Sequence, residues 1–213
     1  MPRELADLSF ARHLVEHDEI GMEGEYDCAL FDGLQLDEVQ ARGAQFTECA
    51  ITAGTVSGGT MRHARFNDVW IHGTQWIRTD LSDSSWLDTE LVMNAFSGVE
   101  AFGARLRRVR FYNCKFDSVN LRGAHLNDVS FVDCVLRHID ISEAKLTSVS
   151  FPGSEVQALS MRKAELKKVD LRSARYLNVS DGVEALAGAT ITSTQLLDLA
   201  PTFAAAIGIV VKD

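Results

Sequence analysis

His13-Leu14-Val15-Glu16-His17 matches H-x-x-E-H, a spacing that on a helix would set two imidazoles on one face, within reach of a single zinc ion. No third ligand is evident, so surface histidines are the better reading and no metal is expected. Cys28, Cys49, Cys114 and Cys134 include no C-x-x-C pair of the kind that holds a metal or runs redox chemistry. There is no phosphate-binding glycine loop and no nucleophile elbow. Asn178-Val179-Ser180 has the form of a glycosylation sequon, which counts only in a secreted chain. Neither catalytic residues nor a cofactor are therefore expected. The chemistry that remains is that of carboxylates. Residues 1–100 hold 18 acids against 6 bases, whereas residues 101–213 hold 12 against 15. From Glu16 to Glu38 there are nine acids and no base. Such an asymmetry speaks to partners and solubility.

The elements that must position these groups follow from length and pattern. The 213 residues, 46% apolar and 24% charged, suit one folded domain and argue against disorder. A net charge of −9 argues against a free-standing nucleic-acid binder, which is usually basic. The longest apolar run, Phe203 to Val211, is nine residues and too short to span a bilayer. The first twenty residues are interrupted by Arg3, Glu4, Asp7, Arg12, Glu16, Asp18 and Glu19, so no secretory leader is expected. Cytoplasmic location and free thiols follow as expectations.

Every fifth residue from Tyr26 to Tyr176 is apolar, 31 positions without an insertion. At this composition the chance of such a run is on the order of 10⁻¹⁰ before counting the phases tried. Eight of the eleven Phe and two of the three Trp lie in this one phase. Neither a helix nor a flat strand has a period of five. Two residues earlier runs a second column, Gly24 to Ala174, made almost wholly of Gly, Ala, Ser, Thr, Cys and Val. A chain that turns about 90° every five residues would place one large and one small residue inside and expose the other three. Four such units close a coil of twenty. Ala104, Ala124, Ala144 and Ala164 then align, as do Val109, Val129, Val149 and Val169. Residues 21–180 make eight coils.

Ala124-His125-Leu126-Asn127-Asp128, Ala104-Arg105-Leu106-Arg107-Arg108 and Ala164-Glu165-Leu166-Lys167-Lys168 carry the small-x-large pattern of the A(D/N)LXX consensus. Over residues 21–180 the chain resembles the pentapeptide-repeat family. The resemblance implies an all-β fold, a right-handed quadrilateral parallel β-helix. Coils at strand spacing of roughly 4.8 Å make a rod of about 38 Å. Cys114 and Cys134 would then sit one coil apart with parallel side chains, as two buried thiols.

Both ends of such a rod need covering. In residues 1–20 the phase slips by one at Leu5, Phe10, Val15 and Ile20, which predicts an irregular cap with a short helix at 11–17. Residues 181–213 form a C-terminal tail. Ser193 to Leu199 reads as a capped helix, and Pro201 is expected to end or kink it before a second helix at Thr202 to Ala206. Leu196, Leu197, Leu199, Phe203 and Ile207 exceed what capping one coil needs. In the topoisomerase-protecting members of the family a C-terminal helical element makes a head-on two-fold dimer, and the tail here resembles it. A homodimer through these residues is expected, with a purely intramolecular cap as the alternative.

The outward columns suggest the function. Glu48, Asp68 and Asp88 stack on one corner, and Asp80 and Glu100 on another. Like charges about 5 Å apart repel, so such ladders have no evident structural reason. As a row of anions they imitate nucleic-acid phosphate; the alternative is an ordinary solvated acidic surface with Arg42, Arg62, Arg65 and Arg78 as counter-ions. The resemblance then implies a non-enzymatic, DNA-mimicking rod that binds a protein partner, DNA gyrase or topoisomerase IV, and protects it from inhibitors, with no direct contact to nucleic acid. Against a complete mimic stand Arg105, Arg107, Arg108 and Arg110 at mid-rod, and Lys163, Lys167, Lys168, Arg172 and Arg175 near the end. The alternative is an interaction scaffold that uses an outward apolar patch of Trp70, Ile77, Leu87, Val92, Met93, Phe102 and Tyr112.

Overall fold

The computed structural model describes residues 1–212. Its chain pairs with itself in parallel at a spacing of twenty. Gln45 lies beside Arg65, Arg65 beside Ser85, Ser85 beside Arg105, and so on through His125 and Lys145 to Glu165. The fold is a parallel β-solenoid of about eight turns with one C-terminal helix, as the two inward columns predicted. Coil one is residues 21–40 and coil eight residues 161–180.

Each coil has four faces, here named by their inward large residue. Face A carries Tyr26 to Leu166, face B Phe31 to Leu171, face C Leu36 to Val156, and face D Ala41 to Met161. Strands of faces A and B join one sheet, because Arg105–Tyr112 and His125–Val132 run across their shared corner. Face C forms a separate eight-stranded sheet. Face D has only single bridges, from Thr60 through Asp80, Glu100, Asn120 and Asp140 to Ser160.

The corner needs a backbone that turns sharply, and it obtains one from a left-handed residue. Every fifth residue from Glu23 to Lys168 has positive φ. Most of these are not glycine, at a cost of roughly 1–2 kcal/mol each that the stacked coils must offset. Inside, rings stack one per coil at about the strand spacing. Phe46 and Phe66 are 4.9 Å apart and 6° from parallel, and so are Phe111 and Phe131 at 4.9 Å and 4°. The aromatic ladder lies on face A through Trp86, on face C from Trp76 to Phe116, and on face B from Phe111 to Phe151. Where it changes face, around Ala101, Leu106 and Leu91, an apolar void of about 50 Å³ remains.

The period is broken between Tyr176 and Asp181, where the register against the preceding coil shifts twice. Leu177 takes the inward place opposite Val156 and is 7% exposed, so Tyr176, the last member of the expected column, turns outward at 51%. Coiling also continues past residue 180. Val183, Ala185 and Leu186 are buried, and Ala189–Thr190 pairs with Val169–Asp170 at the same spacing of twenty.

The N-terminal segment differs from the expected cap. It has two short 3₁₀ turns, Leu5–Asp7 and Ala11–His13, and a strand, Val15–Glu16, in place of a helix over 11–17. Residues 3–14 run down the outside of face B as a strap. Arg3 reaches Glu90 in coil four, Leu8 and Phe10 pack with Ala50 and Trp70, and the amides of Val15 and His17 donate to the carbonyls of Cys28 and Leu30 in coil one. The end itself is closed by Ile20 and by His17, whose ring lies 5.8 Å from Tyr26 and 5.7 Å from Phe31.

The C-terminal helix is a single one, Ser193–Ala206, with Pro201 inside it. The second helix expected after Pro201 does not exist. Thr192 opens the helix through a capping box, in which the Gln195 amide donates to Thr192 Oγ1 and the Thr192 amide to Gln195 Oε1. Gln195 Nε2 also donates to the Leu171 carbonyl at 2.7 Å, which ties the helix to the last full coil.

Candidate functional site

The two acidic columns meet different fates. On the corner after face A, Glu48, Asp68 and Asp88 occupy successive coils. Asp68 is held above the usual carboxylate range, chiefly by partial burial and then by the charges of Glu48 and Asp88, with Arg3 acting against them. Asp88 is held below it, because Arg108 in the next coil donates twice to its carboxylate at 2.5 Å. The ladder of anions therefore ends at Arg108.

Asp80 and Glu100 adjoin on face D, yet both have structural work. The Asp80 side chain accepts the Ser82 amide at 2.9 Å, and Asn120 and Asp140 accept the amides of Arg122 and Ser142 in the same way. These are side-chain turns that shape the corner. Glu100 accepts from Asn120 Nδ2 at 2.6 Å, and Arg62 lies against Asp80 and Asp83. The face D column thus has the local reason that repulsion alone had denied it.

Uncompensated negative charge lies nearer the N-terminus. Glu16, Asp18, Glu19, Glu23, Glu25, Asp27, Asp32, Asp37, Glu38 and Glu48 form no ion pair among the described residues. Glu25 and Asp27, in the coil next to Glu48, stack on Gln45 and Thr47 and so lie outside the Glu48–Asp68–Asp88 column. The signal that finds them is the run of nine acids, not the column.

The apolar patch does not assemble. Trp70, Val92, Met93 and Tyr112 lie on face B, Ile77 on face C, Leu87 on face A and Phe102 on face D. Trp70 is 5% exposed because the strap covers it, and its indole Nε1 donates to the Arg3 carbonyl at 3.2 Å. Val92 is also buried, and only Met93 and Phe102 are largely exposed. A sequence can mark these residues as outward, but not which remote segment folds over them.

Of the tail residues, Leu199 is buried and Phe203 packs against the core, so both serve the intramolecular cap. Leu196, Leu197 and Ile207 are exposed, as are Ile209, Val210 and Val211.

The remaining chemical candidates separate or lie buried. Val15–Glu16 is a strand, so His13 and His17 do not share a helical face, and no group of three or more potential ligands occurs among the described residues. Cys114 and Cys134 are buried and donate to the carbonyls of Leu91 and Phe111. Cys134 is pushed well above the ordinary thiol value by its contact with Cys114 and by burial, and burial pushes Cys49 up to about 11. Cys49, Cys114 and Cys134 are all buried, so none of the three presents a thiolate to solvent. No helix among the described residues is long and apolar enough to cross a membrane.

Residues 104–180 match a family model described as a pentapeptide repeat region. No curated protein matches the chain. Among solved structures it is similar to QnrB1, a plasmid-mediated fluoroquinolone resistance protein, at 15% identity and a TM-score of 0.45, over 84% of this chain and 99% of that one. It is also similar to HetL, a pentapeptide repeat protein involved in heterocyst differentiation regulation from the cyanobacterium Nostoc sp. strain PCC 7120. There the identity is 16% and the TM-score 0.26, over 84% and 91% of the chains. Rfr23, a pentapeptide repeat protein of the cyanobacterium Cyanothece 51142, matches at 14% identity and a TM-score of 0.22, over 61% and 89%. At such values the likeness carries no argument about function.

Proposed function

For a solenoid that carries a pentapeptide-repeat region, we propose a non-enzymatic role as a binding rod whose anionic N-terminal coils enter a cationic groove built for nucleic acid. The observation that carries this reading is the set of ten carboxylates from Glu16 to Glu48 without an ion pair among the described residues. A field of that sign steers cationic surfaces and rejects nucleic acid itself. The candidate partner is a type II topoisomerase, DNA gyrase or topoisomerase IV, which the resemblance of the repeats suggests. The contact comprises Glu25, Asp27, Glu48 and Asp68. Asp88, Asp80 and Glu100 contribute less, because their charges are already engaged.

The exposed tip of Leu196, Leu197 and Ile207 supports a two-fold dimer joined at the C-termini, which would carry an anionic end at each far tip. The test is a supercoiling assay with purified gyrase, with and without a quinolone. Micromolar protein is expected to inhibit supercoiling or to restore it in the presence of drug. If it does neither, the topoisomerase reading fails.

A further inference from the structure

We propose that face A is a self-complementary surface on which a second copy of this chain binds, side by side and antiparallel. The first support is charge. In coils one to four the outward residues of face A and its following corner include Glu25, Asp27, Glu48, Asp68 and Asp88 against Arg65, a net of −4. In coils five to eight they include Arg105, Arg107, Arg108, Lys145, Lys167 and Lys168 against Asp128 and Glu165, a net of +4. Counted in the same way, each half of the other three faces lies within two charges of neutral. The charge asymmetry of the chain is thus concentrated as a dipole along one face.

The second support is the central outward column of that face. Stacked coil on coil it reads Asp27, Thr47, Asn67, Leu87, Arg107, Asn127, Thr147, Lys167. A two-fold axis along the strand direction, between coils four and five, sets Asp27 of one copy against Lys167 of the other. It also sets Thr47 against Thr147 and Asn67 against Asn127. Opposite charges meet at both ends of this column, residues that can donate and accept to their own kind meet inside it, and Leu87 faces Arg107 at its centre. In the flanking columns the same axis sets Glu25 against Glu165 and Asp68 against Asp128, so the complementarity rests on the net dipole and on this column. Every member of the column is at least partly exposed. The central column of face A is free of the strap, which lies over face B and borders the following corner through Arg3 beside Asp68 and Asp88, and of the helix, which closes the C-terminal end.

Eight coils at about 4.8 Å and a width of roughly 15 Å offer about 1,100 Å² over both copies, the range of weak interfaces. The pairing is therefore reversible and sensitive to salt, since exposed charges are screened beyond about 10 Å at 0.1 M. It is distinct from the C-terminal tip dimer and does not depend on the topoisomerase reading.

The experiment is sedimentation velocity on the full chain carrying Leu197→Glu and Ile207→Glu, which removes the apolar tip. Association is expected at about 20 mM salt and is lost at about 500 mM. Adding Lys167→Glu and Lys168→Glu should weaken it by at least roughly tenfold, because each substitution acts twice in a two-fold interface. Adding Glu25→Lys and Asp27→Lys as well should restore it. All four sites are exposed, and unchanged circular dichroism confirms that each variant is folded. Carbodiimide coupling of wild-type protein should also join Asp27 to Lys167 between copies. Within one copy these residues are about seven strand spacings apart, far beyond a zero-length link. Absence of low-salt association in the tip variant, or failure of the compensating charges to restore it, overturns the proposal.

Discussion

At Asp68 folding and binding ask for opposite things. Its carboxyl is held above the usual range by burial and by two neighbouring acids, so its ionised form costs stability. A carboxyl raised in the folded state favours folding below its ordinary value, and that contribution is lost as pH rises through the raised value. Asp68→Asn is therefore expected to raise the melting temperature at pH 7. The gain should vanish below about pH 3, where both side chains are neutral. Asparagine also suits the left-handed backbone that Asp68 adopts, at φ 50°. The same substitution should weaken partner binding. A loss of stability at neutral pH would show that the charge is better accommodated than its neighbours imply. Ala101 poses a simpler question. It stands beside a void of about 50 Å³, between Leu81 and Leu121 in the face D column. Ala101→Val should recover about 1 kcal/mol and raise the melting temperature by roughly 2–4 °C in calorimetry.

The five-residue element was legible because each unit writes one large apolar residue at one place, and stacking repeats it eight times. The left-handed corner was less so. It falls at a fixed place in every unit, yet eight of its thirty occupants from Glu23 to Lys168 are glycine and the others include Met93, Arg108 and Lys163. Side-chain type therefore reports the backbone there only weakly. Its energetic signature is still testable. Ser118→Val puts a β-branched residue at φ 57° and should cost roughly 1–2 kcal/mol, read as a lower urea midpoint, whereas Ser118→Gly should cost little or nothing. The strap was not legible at all. Trp70 and Arg3 are 67 residues apart, and no local pattern links them. Leu5, Phe10 and Val15 looked like a faulty phase, when in fact they follow the outside of the rod. The strap hangs on Arg3, whose Nε lies 3.1 Å from the largely buried carboxylate of Glu90. Arg3→Ala should loosen it, shifting tryptophan emission to the red and raising acrylamide quenching while the far-ultraviolet spectrum stays unchanged. An unchanged emission spectrum would mean that the apolar contacts of Leu8 and Phe10 suffice.

On the scale of the whole molecule, a bare net charge of −9 hides three regions. The first two coils carry carboxylates without an ion pair among the described residues, the middle is laced by Arg108 with Asp88 and Arg110 with Asp128, and the end is apolar. The sequence showed the division between halves. It could not show that Asp80 and Asp140 serve as turn residues, because that depends on which amide lies two residues on in the folded corner. Nor could it divide the tail. Leu199 and Phe203 face the core while Leu196, Leu197 and Ile207 face out, a split that depends on how the helix sits across the last coil. If the outward set joins two copies, Leu197→Glu should convert a dimer at about 0.5 M salt, where charge pairing is screened, into a monomer by light scattering. The most direct measurement of the central claim is the affinity of purified gyrase for this protein, compared with a variant carrying Glu25→Lys, Asp27→Lys and Glu48→Lys. The parent is expected to bind, more weakly as salt rises, and the variant to lose affinity at least roughly a hundredfold. Equal affinity for both, or no binding by the parent, would contradict that claim.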